Sequence, residues 1–276
     1  MGKAGSGRPS SSLAHALERT PPDGLVTREL VPAQPGFLIA IDGFLTDAEC
    51  ERLIAAADAS ELRPSTAAYR TPKKNEAYLD RESGAFVDEP FSSAVWARLR
   101  PSLPDIDGRE PVGLHGDGAR GAAAQFKFYR YQRGHRFGAH VDQSWKGGEG
   151  EETEYTLLIY LNTAGQPVPG GSCDAPLVGG DTIFHASAKK ELARVRPTMG
   201  TALLHAHGRR CLMHEGEEVL KGCKCVLRAD VMYRRKPRGE PGGAGDDTAP
   251  VAAMKGLKLK SGRKHRAGRD GEARAV

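Results

Sequence analysis

Residues 125–131 read QFKFYRY, and from this point of the chain the apolar side chains follow an alternating rather than a helical spacing. Alternation with a period of two is typical of a β-strand, because successive side chains point to opposite faces of the sheet. Four later runs are similarly short and apolar: 156–162 (TLLIYLN), 181–184, 201–205 and 223–233. Segments rich in Gly, Glu and Pro separate them, so we predict a series of short strands without intervening helices.

The residues before this strand-rich part contain one predicted strand, 37–41, and two predicted helices. Thr46 opens the first helix, because Glu49 three residues later completes a capping box. Its apolar stripe consists of Cys50, Leu53, Ile54 and Ala57. The second helix is predicted to start after residues 88–90 and to place Phe91, Val95 and Leu99 on one face. Helices followed by many short strands indicate an α+β fold with an antiparallel barrel or sandwich.

Composition divides the chain into three parts. Residues 1–30 are rich in Gly, Ser and Pro, which predicts a disordered N-terminal segment. Residues 31–236 are predicted to form one domain, with its core in residues 124–235. Residues 237–276 predict a flexible linker followed by a basic tail.

The positive charge of the chain is concentrated in that basic tail. The formal net charge is +5, and residues 251–276 contain eight Lys or Arg against two acidic residues, which leaves the first 250 residues at −1. The body is therefore not an evident nucleic-acid surface, and we expect contact with nucleic acid only through the tail. The stretch 258–266 (KLKSGRKHR) is also compatible with a nuclear signal.

Cysteine content and hydropathy favour a cytoplasmic or nuclear protein. The five cysteines include no C-x-x-C pair, which argues against a disulfide framework or a zinc site. No run of about 18 apolar residues is present, so no transmembrane segment is predicted. The N-terminus lacks the apolar stretch of a secretory signal, and its match to the short N-myristoylation pattern through Gly2 and Ser6 stays open as an alternative. The oligomeric state has no signal in the sequence.

The sharpest local motif is His140-Val141-Asp142. At a strand end, residues two apart point to the same side, so this motif brings one imidazole and one carboxylate together. These groups make two corners of a facial triad, and a second histidine from elsewhere in the chain makes the third. Such a triad leaves three positions open on an octahedral Fe(II), two for a chelating co-substrate and one for O₂.

Three histidines are candidates for the third corner, namely His205, His207 and His214. Lys224 follows His214 by ten residues, and a co-substrate with a distal carboxylate needs a cation at a fixed reach from the metal. Neither of the other histidines has a cation at that spacing. On the last predicted strand Lys224 shares a face with Arg228, at about 13 Å along the strand, so only one of the two can meet that carboxylate.

Taken together, these segments resemble the prolyl 4-hydroxylase branch of the 2-oxoglutarate/Fe(II) dioxygenases. The resemblance covers roughly residues 36–235 and is specific from residue 126 onward. The matching segments are Tyr131–Gly134 through Phe137 to Asp142, Tyr155–Asn162 (YTLLIYLN), Gly179–Phe184 (GGDTIF), and His214–Gly216 through Gly222 to Lys224.

This resemblance implies a double-stranded β-helix (jelly-roll) barrel with supporting N-terminal helices. It also implies that His140, Asp142 and His214 bind Fe(II), and that Lys224 pairs with the C5 carboxylate of 2-oxoglutarate. The family places tyrosines near the co-substrate at the positions that Tyr131 and Tyr160 occupy here. O₂ and, as reductant, ascorbate complete the expected set of cofactors.

The function that the resemblance implies is a 2-oxoglutarate- and O₂-dependent hydroxylase that releases succinate and CO₂. We expect it to act on a protein or peptide side chain, with proline as one candidate and with substrate choice in loops 63–89, 143–154 and 163–180. Asp142 favours hydroxylation over halogenation, because a small residue there would open a halide position. Two alternatives stay open: an oxygenase that acts on a nucleic acid or a small molecule, and a catalytically silent interaction module on the same fold.

Overall fold

The computed structural model of the protein describes residues 13–18, 24–60, 62–66, 77–115, 125–148, 150–171, 173–187 and 190–236. The predicted linker and basic tail, residues 237–276, and the N-myristoylation pattern at Gly2 and Ser6 lie outside these residues.

Two α-helices and fifteen β-strands make up the described part of the chain. The helices are α1 (Asp47–Asp58) and α2 (Glu89–Leu99), and short 3-10 turns span Leu13–Ala16, Arg100–Ser102, Pro169–Gly171 and Gly208–Arg210. The strands are β1 (Val26–Glu29), β2 (Leu38–Asp42), β3 (Arg63–Thr66), β4 (Asp80–Val87), β5 (Arg109–His115), β6 (Gln125–Tyr131), β7 (Phe137–His140), β8 (Glu151–Tyr160), β9 (Val178–Gly179), β10 (Thr182–Ser187), β11 (Lys190–Val195), β12 (Ala202–Ala206), β13 (Met213–Gly216), β14 (Val219–Lys221) and β15 (Lys224–Arg235).

Antiparallel pairing joins most of these strands into two sheets. The larger sheet has nine strands, in the order β1-β2-β12-β8-β15-β6-β4-β3 with β5 beside the second half of β15. The smaller sheet has four strands in the order β11-β10-β13-β7, and β9 and β14 form a separate pair. This is the predicted α+β architecture, a double-stranded β-helix with helices on the N-terminal side.

Both faces of the larger sheet are covered at its centre, which explains why β2, β12 and the second half of β8 are apolar almost continuously. One face packs against α1 and α2 and carries buried side chains such as Leu157 and Leu227. The opposite face meets the smaller sheet, where Tyr160 packs with Phe184. Because side chains alternate along each strand, the residues next to those of the helix-facing row point into the space between the sheets.

The two helices show how local sequence fixes their ends. Thr46 caps α1 and forms a complete capping box with Glu49, and the four residues of the predicted apolar stripe are buried. Helix α2 begins at Glu89, two residues before the predicted start. Asp88 accepts a hydrogen bond from the backbone N–H of Phe91, and a proline is tolerated in the first turn of a helix.

The predicted N-terminal disordered segment, residues 1–30, ends too late. Residues 13–16 form a 3-10 turn, and β1 pairs with β2. Backbone groups make the contacts that hold the turn, since Leu13 N donates to Asp88 at 2.6 Å and Glu18 N donates to Glu49 at 2.7 Å. All four residues of β1 are exposed, so the strand has no apolar pattern that a sequence reading detects.

Strand β8 begins five residues before the predicted start, so residues 151–154 of the predicted loop 143–154 belong to a strand. The acidic side chains there pair with arginines: Glu151 with Arg234, Glu152 with Arg109, and Glu154 with Arg109 and Arg210. These ion pairs hold β8 to β5, to β15 and to the turn after β12.

Within the described residues, neither helix has the length and apolar character needed to cross a membrane.

Candidate metal centre

A cavity of about 50 Å³ lies between the two sheets. Its walls combine imidazoles, cations and aromatic rings from strands of both sheets. The lining includes Arg81, Tyr129, Tyr131, Phe137, His140, Asp142, Thr156, Thr182, His205, His214, Lys224 and Arg228. Five of the six residues that we predict from the sequence to form the metal and co-substrate site line this cavity, namely Tyr131, His140, Asp142, His214 and Lys224.

At one end of the cavity, His140, Asp142 and His214 come together. His140 and His214 lie directly opposite each other in the β7–β13 pair, and Asp142 follows β7 by two residues. One ligand atom from each residue lies within 4.8 Å of the other two. His140 Nε2 is 3.4 Å from Asp142 Oδ1. Two imidazoles and one carboxylate are the donor set of a facial triad for Fe(II).

Backbone carbonyls orient both imidazoles. The Nδ1 of His140 lies 2.9 Å from Gly138 O, and the Nδ1 of His214 lies 2.9 Å from Leu212 O. A carbonyl oxygen only accepts, so each Nδ1 carries the proton and each Nε2 keeps its lone pair for a metal. Burial lowers the pKa of His214 to about 4, so this ring is neutral near pH 7.

Asp142 presents its two carboxylate oxygens to different partners. Oδ2 accepts hydrogen bonds from Thr156 Oγ1 at 2.7 Å and from Arg228 Nη2 at 3.2 Å. Although burial favours the neutral acid, the neighbouring His140 imidazole and the charge of Arg228 hold the pKa of Asp142 well below its usual value. The ionised carboxylate thus turns Oδ1 toward His140 and the position between the three side chains.

A buried hydrogen-bond chain supports Asp142 from behind. Because an ionised carboxylate cannot donate, the hydroxyl of Thr156 donates to Asp142 and accepts from His207 Nε2 at 2.5 Å. The Nδ1 of His207 then accepts from Thr153 Oγ1 at 3.0 Å. His207, one of the three histidines considered for the third corner, is therefore a supporting residue with both ring nitrogens occupied.

A second set of side chains, His205, Cys211 and His214, is also close enough to hold a metal. Burial raises the pKa of the Cys211 thiol to about 11, so it stays protonated near pH 7, whereas a metal binds the thiolate. Cys211 Sγ faces the Nδ1 of His214 at 4.0 Å, and that nitrogen already donates to Leu212 O. The donor chemistry therefore favours the His140, Asp142 and His214 set.

At the other end of the cavity lies Lys224, which is 5% exposed. Its Nζ donates to Gly180 O at 2.6 Å and to Thr182 Oγ1 at 3.3 Å. No carboxylate among the described residues lies within ion-pair distance of this ammonium group. Burial lowers the pKa of Lys224 to about 8. A buried cation without an anionic partner bears a desolvation cost that a bound carboxylate would offset.

The two tyrosines that the sequence reading places near the co-substrate flank Lys224. The ring centroid of Tyr160 is 5.4 Å and that of Tyr131 is 5.8 Å from Nζ. The hydroxyl of Tyr160 hydrogen-bonds to Thr182 Oγ1 at 2.8 Å, and the hydroxyl of Tyr131 accepts from Arg81 at 3.1 Å.

Arg228, the alternative partner for the distal carboxylate, occupies the metal end of the cavity. Besides Asp142, it contacts Asp230 Oδ1 at 3.3 Å. Two carboxylates thus already neutralise this guanidinium, in contrast to the ammonium of Lys224.

Comparison with family models decides what kind of domain surrounds this cavity. Residues 126–229 match the model of the 2OG-Fe(II) oxygenase superfamily. Residues 126–229 thus carry the pattern of a 2OG-Fe(II) oxygenase domain. The protein is therefore a 2-oxoglutarate-dependent dioxygenase, and its cofactors are Fe(II), 2-oxoglutarate and O₂.

Three solved structures similar to this oxygenase are prolyl hydroxylases. The viral collagen prolyl hydroxylase from Paramecium Bursaria Chlorella virus-1, solved with 2-oxoglutarate, is 20% identical with a TM-score of 0.44, and the match covers 72% of this chain and 97% of that one. A Pseudomonas putida prolyl-4-hydroxylase is 17% identical with a TM-score of 0.46, and the match covers 74% of this chain and 95% of that one. A Trichoplax adhaerens prolyl hydroxylase is 16% identical with a TM-score of 0.46, and the match covers 73% of this chain and 87% of that one. No curated protein matches the chain in sequence.

Sequence analysis did not predict Arg81, Thr156 and Thr182 as cavity residues. Thr182 shares a strand face with Phe184, which is a signal that alternation alone provides. Thr156 lies four residues before Tyr160 on β8, so the same alternation places both side chains on one face of that strand. Arg81 has no such signal, because it lies on β4, whose residues do not alternate in hydropathy; its guanidinium stacks on Tyr129 at 3.4 Å from the ring centroid.

Proposed function

We propose that this dioxygenase hydroxylates a protein or peptide side chain, in the manner of the prolyl 4-hydroxylases, with Fe(II) held by His140, Asp142 and His214. In this proposal Lys224 binds the C5 carboxylate of 2-oxoglutarate, with Tyr131 and Tyr160 beside it. The observation that carries the proposal is a triad of metal-ligand atoms within 4.8 Å at one end of a cavity whose other end holds an unneutralised lysine.

The residues have separable roles. The imidazole Nε2 atoms of His140 and His214 and the Oδ1 of Asp142 are the metal donors. Thr156 and Arg228 keep Oδ2 of Asp142 turned away from the metal, which favours coordination through one oxygen. Lys224 sets the length of the dicarboxylate that fits. When bound, iron, 2-oxoglutarate and O₂ supply the oxidative decarboxylation that hydroxylates a C–H bond and leaves succinate and CO₂.

Two features support a side chain of a larger molecule as substrate. The segments that resemble a known family resemble its prolyl 4-hydroxylase branch, and the cavity is narrow enough for the co-substrate to fill it. The substrate then approaches from the rim and inserts only the group to be hydroxylated. In the same proposal, ascorbate sustains turnover as the reductant.

The test is release of succinate by purified protein supplied with Fe(II), 2-oxoglutarate, ascorbate and a library of proline-containing peptides. We expect His140→Ala to reduce release to background and to lose affinity for Mn(II), a redox-inert stand-in for Fe(II), in calorimetry. Cys211→Ser is the matched control, because it removes a ligand only from the alternative set of His205, Cys211 and His214. Succinate release and Mn(II) affinity should both remain in this variant.

Equal turnover by His140→Ala would exclude the proposed triad. Succinate release that no peptide stimulates, but that RNA or a small molecule does, would replace the proposed substrate class while leaving the triad intact.

A further inference from the structure

Two buried histidines near the end of β12 differ in one respect. His205 and His207 are each 2% exposed. Both ring nitrogens of His207 are hydrogen-bonded, to Thr153 and to Thr156. His205 makes no hydrogen bond with any residue in the described part of the chain. Its Nδ1 is shielded from solvent and unpartnered, and its Nε2 lies 3.9 Å from Asp142 Oδ2, beyond hydrogen-bond distance.

The missing partner of His205 is unusual for a buried polar group. A neutral imidazole carries one N–H donor and one acceptor, and in His205 both ring nitrogens are unpaired. Leaving a buried donor unpaired costs free energy, and native proteins rarely accept that cost without a functional reason. An apolar ring would fit the surroundings, because Phe184 already packs edge-to-face at 5.6 Å.

The position of His205 indicates where a partner would come from. His205 lines the cavity, and its ring centroid is 4.4 Å from that of His214. It therefore lies at the metal end, whereas Lys224 lies at the other end. If the distal carboxylate of 2-oxoglutarate meets Lys224, the remaining carboxylate comes to the metal end of the cavity.

We propose that His205 donates a hydrogen bond from Nε2 to the metal-proximal carboxylate of the bound 2-oxo acid. This inference rests on the proposed function, since it needs the 2-oxo acid to lie between Lys224 and the triad. His205 is in this view a co-substrate-binding residue whose Nε2 stays unpaired until the co-substrate arrives.

The experiment compares His205→Phe and His205→Gln with the wild-type protein. Calorimetry without O₂ measures the affinity of the Mn(II)-loaded protein for 2-oxoglutarate, and thermal unfolding measures the stability of the metal-free protein. We expect His205→Phe to bind 2-oxoglutarate about tenfold more weakly, since a hydrogen bond to a charged acceptor is lost. His205→Gln keeps a donor at a similar reach and should bind within about threefold of wild type.

Stability separates this role from a structural one. Metal-free His205→Phe should melt at a higher temperature than wild type, because it removes an unpaired buried group. His207→Phe is the matched control and should melt lower, because it leaves Thr153 and Thr156 without their partner. A His205→Phe variant that is less stable and binds 2-oxoglutarate normally would overturn the inference.

Metal affinity distinguishes the proposed co-substrate-binding role of His205 from a role as a metal ligand. His205→Phe should bind Mn(II) as tightly as wild type, and a large loss of Mn(II) affinity would make His205 a ligand instead.

A second measurement needs no variant. In the wild-type protein loaded with diamagnetic Zn(II), 2-oxoglutarate should shift the NMR signal of the His205 Nε2–H proton downfield. A signal that does not move would contradict the inference. Wild-type protein that binds neither Mn(II) nor 2-oxoglutarate would overturn the proposed function itself.

Discussion

Lys224 and Arg228 are two cations on one face of one strand, yet their surroundings differ completely. Arg228 donates to the carboxylates of Asp142 and Asp230. Lys224 donates to a carbonyl and to the hydroxyl of Thr182. Although burial opposes its charge, these carboxylates raise the pKa of Arg228, whereas burial lowers the pKa of Lys224 to about 8.

Both side chains are cationic, so charge alone does not decide which of them is available to a ligand. What decides it is whether carboxylates already lie beside the cation. Arg228 is already neutralised and helps to orient a proposed metal ligand. Lys224 remains unneutralised, and a dicarboxylate that reaches it gains a charge-assisted hydrogen bond at little extra desolvation cost. The two ends of the cavity should therefore respond separately to substitution.

The largest expected effect comes from Lys224→Ala. We expect the Kd for 2-oxoglutarate to rise about 100-fold, equivalent to about 2.7 kcal/mol, because a buried charged partner is lost. Affinity for Mn(II) should stay within about twofold, since Lys224 does not contact the triad. Calorimetry on the Mn(II)-loaded protein measures the first quantity and a metal titration the second.

Arg228→Met is the matched change at the other end of the cavity. Measured at saturating Mn(II), it should alter the Kd for 2-oxoglutarate by less than about threefold. The opposite ranking, with the larger loss in Arg228→Met, would place the distal carboxylate at Arg228.

A smaller effect is expected from Thr156→Val, which removes the hydroxyl that donates to Asp142 while keeping the shape of the side chain. We expect Mn(II) to bind about tenfold more weakly, because hydrogen bonds to ligating carboxylates tune metal affinity. Binding of 2-oxoglutarate at saturating Mn(II) should change little. Unaltered metal affinity would show that Asp142 does not depend on the hydroxyl of Thr156 for metal binding.

The smallest effect is a pH dependence that belongs to the Lys224 end alone. As the pH rises through about 8, Lys224 loses its proton and with it the charge that attracts the co-substrate. The Kd for 2-oxoglutarate should therefore rise about fourfold between pH 7 and pH 8.5. Lys224→Arg stays charged over this range, so its profile should be flat, and a flat wild-type profile would argue against a titrating lysine.

Sequence reasoning located the parts of the site whose positions depend on local spacing. The alternation of side chains puts His140 and Asp142 on one side of a strand end, and it puts Lys224 and Arg228 on one face of β15. Capping chemistry likewise predicted where α1 begins. In each case the signal lies within a few consecutive residues.

The remaining features depend on contacts between strands that are distant in sequence. Whether Lys224 or Arg228 is neutralised depends on where Asp142 lies after the two sheets pack. The role of Arg81 depends on the pairing of β4 with β6, and β4 has no apolar alternation that predicts a strand. The acidic residues at the start of β8 were predicted to lie in a loop. The arginines that pair with them come from β5, β15 and the turn after β12, so nothing in the local sequence indicates a strand there.

The most direct test of the central claim is a crystal structure of the protein with Mn(II) and 2-oxoglutarate, grown without O₂. The account predicts a metal bound by the Nε2 atoms of His140 and His214 and by Oδ1 of Asp142, with the C5 carboxylate on Lys224 Nζ. A metal bound instead by His205, Cys211 and His214, or a distal carboxylate on Arg228, would contradict it.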